Sequence, residues 1–460
     1  MKSITQSWLF NWLLIGFSLL LYYFLGYELE RSQFGVLITS VLFLFGINYF
    51  LVKESRFKIS HLLIIGVLFR LVLLVLTPNL SQDFYRFVWD GRTLFNGSNP
   101  YLTTPKNLIE QGIFPVHQAK ELFEGMGMLN ASHYTNYPPI SQLCYIIAAL
   151  FSSKSLLGSI VVLRLQIILA DIGIYYFGKK ILEHLNLPVK SIFLYFLNPF
   201  IILELTGNLH FEAVMAFFLM WSVYLLLVKK QWVFAAIIFG LSISVKLITL
   251  LFLPVFFVFF LEKKFSVLQF LKKENRGQVL KYIIFCVIVL LTTIGTFLPF
   301  VSKALIANFG ASIGLWFQNF EFNASIYYII RWIGFQVVGW NIIGTVGKIL
   351  PLVVVLIIAI ISLARRNYNK QILLTSMLFS ICSYLMLSTT IHPWYLTIPL
   401  ALSVLTKYRF VWVWTFTIFF SYTAYRYPEF KESLGWVAFE YLIVISVFLY
   451  EVLTQKKSLI

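Results

Sequence analysis

Only three aspartates occur in 460 residues, and two of them, Asp83 and Asp90, stand seven apart in Ser81-Gln82-Asp83-Phe84-Tyr85-Arg86-Phe87-Val88-Trp89-Asp90-Gly91-Arg92. On a helix Asp83, Arg86 and Asp90 share a face. Charge alternating with aromatic residues suits a helix at a membrane surface with Asp83 turned toward a cavity, and it suits a salt-bridged helix with aromatic anchors equally well. Three further polar clusters interrupt apolar sequence: Thr206-Gly207-Asn208-Leu209-His210-Phe211-Glu212, Lys246 between Val245 and Leu247, and His392-Pro393-Trp394-Tyr395. A lysine so placed is costly in lipid unless it meets an anion or water, which makes it a functional candidate; a snorkelling or internally paired lysine is the plainer account. In Tyr134-Thr135-Asn136-Tyr137-Pro138-Pro139 the paired prolines open a short helix.

These segments supply carboxylates (Asp83, Asp90, Glu212), imidazoles (His210, His392) and cations (Lys246, Arg86, Arg92). That set suits group transfer from a lipid-linked phosphate donor. A carboxylate takes the proton of an acceptor hydroxyl, while lysine, arginine or histidine stabilises the departing phosphate.

The elements that must hold these groups are membrane helices. The chain is 60% hydrophobic and 12% charged, against roughly 25% charged in an average soluble protein. Apolar runs cover 8–26, 34–52, 60–77, 155–178, 190–206, 210–228, 232–262, 282–300, 343–364, 371–389, 394–406, 410–423 and 436–454. With 232–262 read as two spans meeting at Lys246, the pattern predicts an all-α polytopic bundle of about 13–14 crossings. Segments 138–152 and 326–341 are apolar but short, and are expected to be re-entrant or interfacial helices. The first run has no small-residue cleavage pattern after it and reads as an uncleaved helix.

With the N-terminus inside, the inner segments hold 22 Lys and Arg in 65 residues and the outer segments hold 10 in 145. This bias follows the positive-inside rule. It places both termini in the cytoplasm and the loop 78–137, with Asp83, outside. The net charge of +17 is spread along the inner connections, with no basic domain for nucleic acid. No linker or repeat divides residues 1–460, so a single membrane domain is expected. Arg70, Arg164, Asp171 and Lys348, in or near apolar runs, read as structural pairings. Cys144, Cys286 and Cys382 read as structural thiols, and His61, His117, His133 and His184 have no ligand spacing.

The segment from Asp83 to Tyr101, the Tyr137-Pro138-Pro139 helix start, Asn198-Pro199 with the Gly207–Glu212 cluster, Lys246 with Pro254, and His392-Pro393-Trp394-Tyr395 occur in this order over residues 81–395. In these motifs the chain resembles the GT-C class of membrane glycosyltransferases that use polyprenyl-phosphate sugars. It looks most like bacterial relatives of the mannosyltransferase that acts first in glycosylphosphatidylinositol assembly. The resemblance implies a hexosyltransferase of the plasma (inner) membrane, with mannose the expected sugar and a glycan or glycolipid as acceptor. Asp83 would be the base of an inverting displacement, and Lys246 and His392 would contact the donor phosphate. Arg86 and Arg92 are further candidates for that phosphate; Asp90, Tyr137, His210, Glu212, Trp394 and Tyr395 are candidates for substrate binding. Related proteins often carry two adjacent acids where this chain has Gln82-Asp83, which disfavours a divalent cation, because a lone carboxylate holds one poorly. A transporter or flippase of lipid-linked saccharides would also need many helices and buried cations, and remains the alternative class.

Overall fold

The computed structural model describes residues 8–266, 275–318 and 320–457. The chain ends and residues 267–274, whose charges enter the topology argument, lie outside the described residues. Among the described residues seven helices are long and apolar enough to cross a membrane: Trp8–Tyr27, Phe34–Lys53, Leu156–His184, Arg276–Phe300, Ile343–Ala364, Lys370–Leu387 and Leu434–Gln455. The protein is a polytopic helical membrane protein. No strand forms among the described residues beyond an isolated bridge between Phe322 and Thr390.

The other apolar runs fold as shorter or broken helices, so the long spans number seven, or eight if the bent pair counts as one, against about 13–14 expected. Each break has a local cause. Helix Val189–Phe196 meets Ile201–Gly207 at 54° across Asn198-Pro199, because a proline has no N–H to continue the ladder. The run 232–262 divides into Trp232–Ile243 and Leu247–Leu261, with Lys246 extended between them (φ −149°, ψ 135°). His392-Pro393 starts a short 3-10 turn, Pro393–Leu396, rather than a full span. The breaks therefore fall at the polar clusters that stood out in the sequence.

Buried polar groups hold these breaks in place. Arg70 Nε donates to Asp171 Oδ2 at 2.9 Å with both side chains fully buried, and Tyr195 Oη donates to Asp171 Oδ1 at 2.9 Å. Arg70 Nη1 also donates to the carbonyl of Phe196 at 2.8 Å, just before the bend. Arg164 bonds no carboxylate among the described residues; it donates to the carbonyls of Thr206 (2.7 Å), Gly207 (3.0 Å) and Leu74 (2.7 Å). Helix-end carbonyls need such partners, and here they close the π-helical turn Ile201–Gly207. Lys348 is exposed and makes no ion pair among the described residues, unlike the pairing expected for it.

Residues 78–138 carry three helices, Asp83–Phe95, Pro105–Glu110 and Ala119–Ala131. The first packs on Pro139–Ser152, with the rings of Phe87 and Tyr145 stacked at 4.8 Å. Gly91 permits the approach, since a Cβ there would stand 2.3 Å from the carbonyl oxygen of Tyr145. Gly91→Ala is expected to cost about 1–3 kcal/mol by forcing the two helices apart, read as a lower unfolding midpoint in detergent.

Candidate active site

Asp83 is the first residue of its helix, where the unpaired N–H groups and the helix dipole favour an anion. The segment leading to it is anchored on two sides. Leu80 N–H donates to Asn208 Oδ1 at 3.2 Å, and Asn79 Nδ2 donates to the carbonyls of Leu25 and Leu29, both at 2.9 Å. Asn130 Nδ2 donates to Asp83 Oδ1 at 3.3 Å. Asp83 is half-buried, and burial raises its carboxyl above the usual carboxylate range. Lys246, the Asn130 amide and Arg31 pull the other way. A carboxylate balanced like this is a better proton acceptor than one free in water.

Lys246 is positioned by the helix that the paired prolines open. Pro138 and Pro139 occupy the N-cap and first turn of Pro139–Ser152, leaving Ile140 N–H free to donate to Ser244 at 2.9 Å. Ser141 Oγ donates to the carbonyl of Val245 at 2.8 Å. The chain is thereby held extended at Lys246, whose ammonium pairs with Glu212 and lies 5.8 Å from the Tyr137 ring and 6.0 Å from the Tyr395 ring. The internally paired lysine is thus also a cation whose charge acts on the Asp83 carboxylate. Glu212 opens helix Glu212–Leu227, and its Oε2 has no hydrogen-bond partner among the described residues.

A stack of rings forms the adjoining wall. His210 lies on Trp394 with centroids 3.6 Å apart, and His392 lies on Trp394 at 4.6 Å, nearly parallel at 5°. Phe322 covers His392 at 5.1 Å. Its segment is fixed there by Phe322 N–H to Thr389 O (3.1 Å) and Ile391 N–H to Phe322 O (2.8 Å). The sharp turn that presents His210 needs Leu209 at φ +63°, a conformation uncommon outside glycine. Burial, with Lys246 and Arg31 adding to it, holds the His392 imidazole down to about 3, so it is neutral at pH 7 and offers one N–H donor.

The structure brings Asp83, Lys246, Glu212, His210, His392, Trp394, Tyr395 and Tyr137 around one region, linked by the contacts above. Arg86, Asp90 and Arg92, further along the same helix, make their own contacts. Arg86 Nε bonds Asp90 Oδ1 at 2.8 Å, and its Nη1 bonds the carbonyls of Asn130 (2.7 Å) and His133 (3.0 Å). Arg92 donates to the His117 carbonyl (2.7 Å), Gln118 Oε1 (3.2 Å) and Ser159 Oγ (3.4 Å). Both guanidinium groups are buried and bonded to protein oxygens, where they brace the loop, although Arg86 Nη2 and Arg92 Nε have no hydrogen-bond partner among the described residues. Asp90 is likewise taken up by Arg86 and by Gln142 at 3.1 Å. Among the described residues no three His, Cys, Asp or Glu side chains converge to hold a metal ion.

Sequence reasoning missed Arg31, Phe322 and Glu204. Glu204 is buried in the π-helical turn, where it accepts from Tyr422 Oη at 2.7 Å and Asn208 Nδ2 at 3.4 Å. A carboxylate inside an apolar run two residues before Thr206 was the available signal.

Residues 26–262, just over half of the chain, match the family described as "Alpha-(1->6)-mannopyranosyltransferase, N-terminal domain". The chain belongs to the alpha-(1->6)-mannopyranosyltransferase family. The matched part of this mannosyltransferase holds Asp83, Asn130, Tyr137, His210, Glu212 and Lys246, and ends before the His392–Tyr395 wall. No curated protein matches the chain.

Proposed function

We propose that the protein moves mannose from a polyprenyl-phosphate carrier to a hydroxyl of a glycan or glycolipid on the extracytoplasmic side of the plasma membrane. The observation that supports this reading best is Asp83 at a helix N-terminus within electrostatic reach of Lys246 and Arg31, with the His392–Trp394 wall beside Arg31. In the reaction the Asp83 carboxylate accepts the proton of the acceptor hydroxyl, and the hydroxyl oxygen attacks the sugar's anomeric carbon. The bond from that carbon to the phosphate oxygen breaks, and polyprenyl phosphate leaves with the electron pair. Lys246 and the His392 N–H stabilise the charge that develops on the leaving phosphate. Inversion of a β-linked donor would give the α linkage in the family's name, and a 1→6 linkage would make a primary hydroxyl the acceptor. Trp394, Tyr395 and Tyr137 offer faces for sugar packing, while Glu212 and His210 offer polar contacts.

The charge bias between alternate connections supports the extracytoplasmic placement. A lipid carrier suits a bundle whose longest inner connection, 261–281, is too short to form a nucleotide-binding domain. Transfer of radiolabelled mannose from polyprenyl-phosphate-mannose by purified protein, with and without EDTA, tests the reading. If the wild type transfers neither mannose nor another hexose from a panel of polyprenyl-phosphate sugars, the proposal falls.

Lys246 makes a separate prediction about pH. Its positive charge favours ionised Asp83, so removing it raises the Asp83 pKa further. Lys246→Met is therefore expected to move the acid limb of the kcat/KM profile to higher pH. Because Glu212 already neutralises part of the charge, the loss at neutral pH should be about ten- to a hundredfold, less than for a dedicated oxyanion donor. An acid limb that stays in place would separate Lys246 from the base.

A further inference from the structure

The two helices before the catalytic loop, Trp8–Tyr27 and Phe34–Lys53, have no task evident in sequence, but the turn between them reaches the recess. Asn79 holds this turn through the carbonyls of Leu25 and Leu29, four residues before Asp83. The turn delivers Arg31, whose guanidinium carbon lies 3.2 Å from the centroid of the Tyr425 ring. Arg31 lines a recess shared with Phe322, His392, Trp394, Tyr422 and Tyr425.

The state of its donors separates Arg31 from the buried cations around it. Lys246 is paired with Glu212, Arg70 with Asp171 and Arg86 with Asp90. Arg92 and Arg164 are bonded to protein oxygens. Arg31 has no carboxylate within ion-pairing distance among the described residues; its Nε is buried without a hydrogen-bond partner among them, as are Arg70 Nη2, Arg86 Nη2 and Arg92 Nε, but the other nitrogens of those three are held by protein oxygens. A buried donor left unsatisfied is costly, and an arginine fork held over an aromatic ring is preorganised for the paired oxygens of a phosphate. The neutral His392 beside it can donate to the same group.

We propose that Arg31 binds the phosphate of the polyprenyl-phosphate donor, and that the first helical hairpin serves to place it opposite the ring wall. This rests on the transferase reading above and adds a residue to it.

Binding of farnesyl phosphate, a short polyprenyl monophosphate, to the purified full-length protein tests the proposal by calorimetry in detergent, with inorganic phosphate as a second arm. Arg31→Ala and Arg31→Gln should weaken farnesyl phosphate binding at least about tenfold, and Arg31→Lys, which keeps the charge but not the fork, should fall between. In transfer assays the donor KM should rise more than kcat falls. Folded Arg31→Ala or Arg31→Gln protein with unchanged farnesyl phosphate affinity overturns the assignment. If neither variant folds, Arg31→Lys decides, and wild-type affinity in it overturns the assignment too. Inorganic phosphate binding as tightly as farnesyl phosphate would overturn the donor part and leave a site for free phosphate. Failure of the wild type to transfer any sugar, with Arg31-dependent farnesyl phosphate binding intact, would sink the transferase reading and keep the phosphate site.

Discussion

Asp83→Asn should lower mannose transfer by at least about a hundredfold and at the same time raise the protein's unfolding midpoint at pH 7. The two effects have one origin. Asparagine keeps the shape of the side chain and can still accept the Asn130 hydrogen bond, but it cannot take the proton of an acceptor hydroxyl. Burial raises the Asp83 carboxyl above its ordinary range, so the folded protein holds that proton more tightly than the unfolded chain does. Stability therefore falls as pH rises from the ordinary carboxylate pKa through the raised value, and at neutral pH the ionised group opposes folding. The amide removes that opposition. The gain in midpoint should vanish below the ordinary carboxylate range, where both states are protonated. Initial rates beside thermal scans at two pH values read both effects, and transfer at the wild-type rate by folded Asp83→Asn protein would remove Asp83 as the base.

Asp171→Ala should be the most destabilising single change in the bundle, about 3–5 kcal/mol, because it leaves the Arg70 guanidinium charged and unpaired. Both partners are fully buried, and the same aspartate accepts from Tyr195 Oη. The damage reaches the candidate site along the chain. Arg70 also bonds the Phe196 carbonyl before the 54° bend, and the segment after the bend carries Glu204, Asn208, His210 and Glu212. Transfer should fall with stability although no substrate is touched. Replacing both partners with apolar residues, Arg70→Met with Asp171→Leu, should recover most of the loss, since a buried ion pair contributes little over well-packed apolar groups. If the double variant is no more stable than Asp171→Ala, the charge was not the cause.

Much of the candidate site was legible because polar residues are scarce in this chain. Asp83, Lys246, Glu212, His210 and His392 each interrupt apolar sequence, and each stands at a break or helix start in the fold. The long spans were legible for the same reason. The shorter ones were not, since hydropathy marks an apolar run whether or not Pro199 bends it or Lys246 extends it. The Arg86–Asp90 bridge was legible from its i,i+4 spacing, but the carbonyls of Asn130, His133 and His117 that Arg86 and Arg92 also bond lie far along the chain and only the fold shows them.

By itself the sequence determined that this is a helical membrane protein, which connections carry the positive charge, and which carboxylate is the strongest candidate for a base. These properties depend on composition and on neighbours within a few residues. Only the tertiary structure decided which cations remain available to a ligand. Whether an arginine is free or engaged depends on acceptors that lie far along the chain, so Arg31, one charge in a short turn by sequence, stands against Tyr425 and His392 at the recess near Asp83.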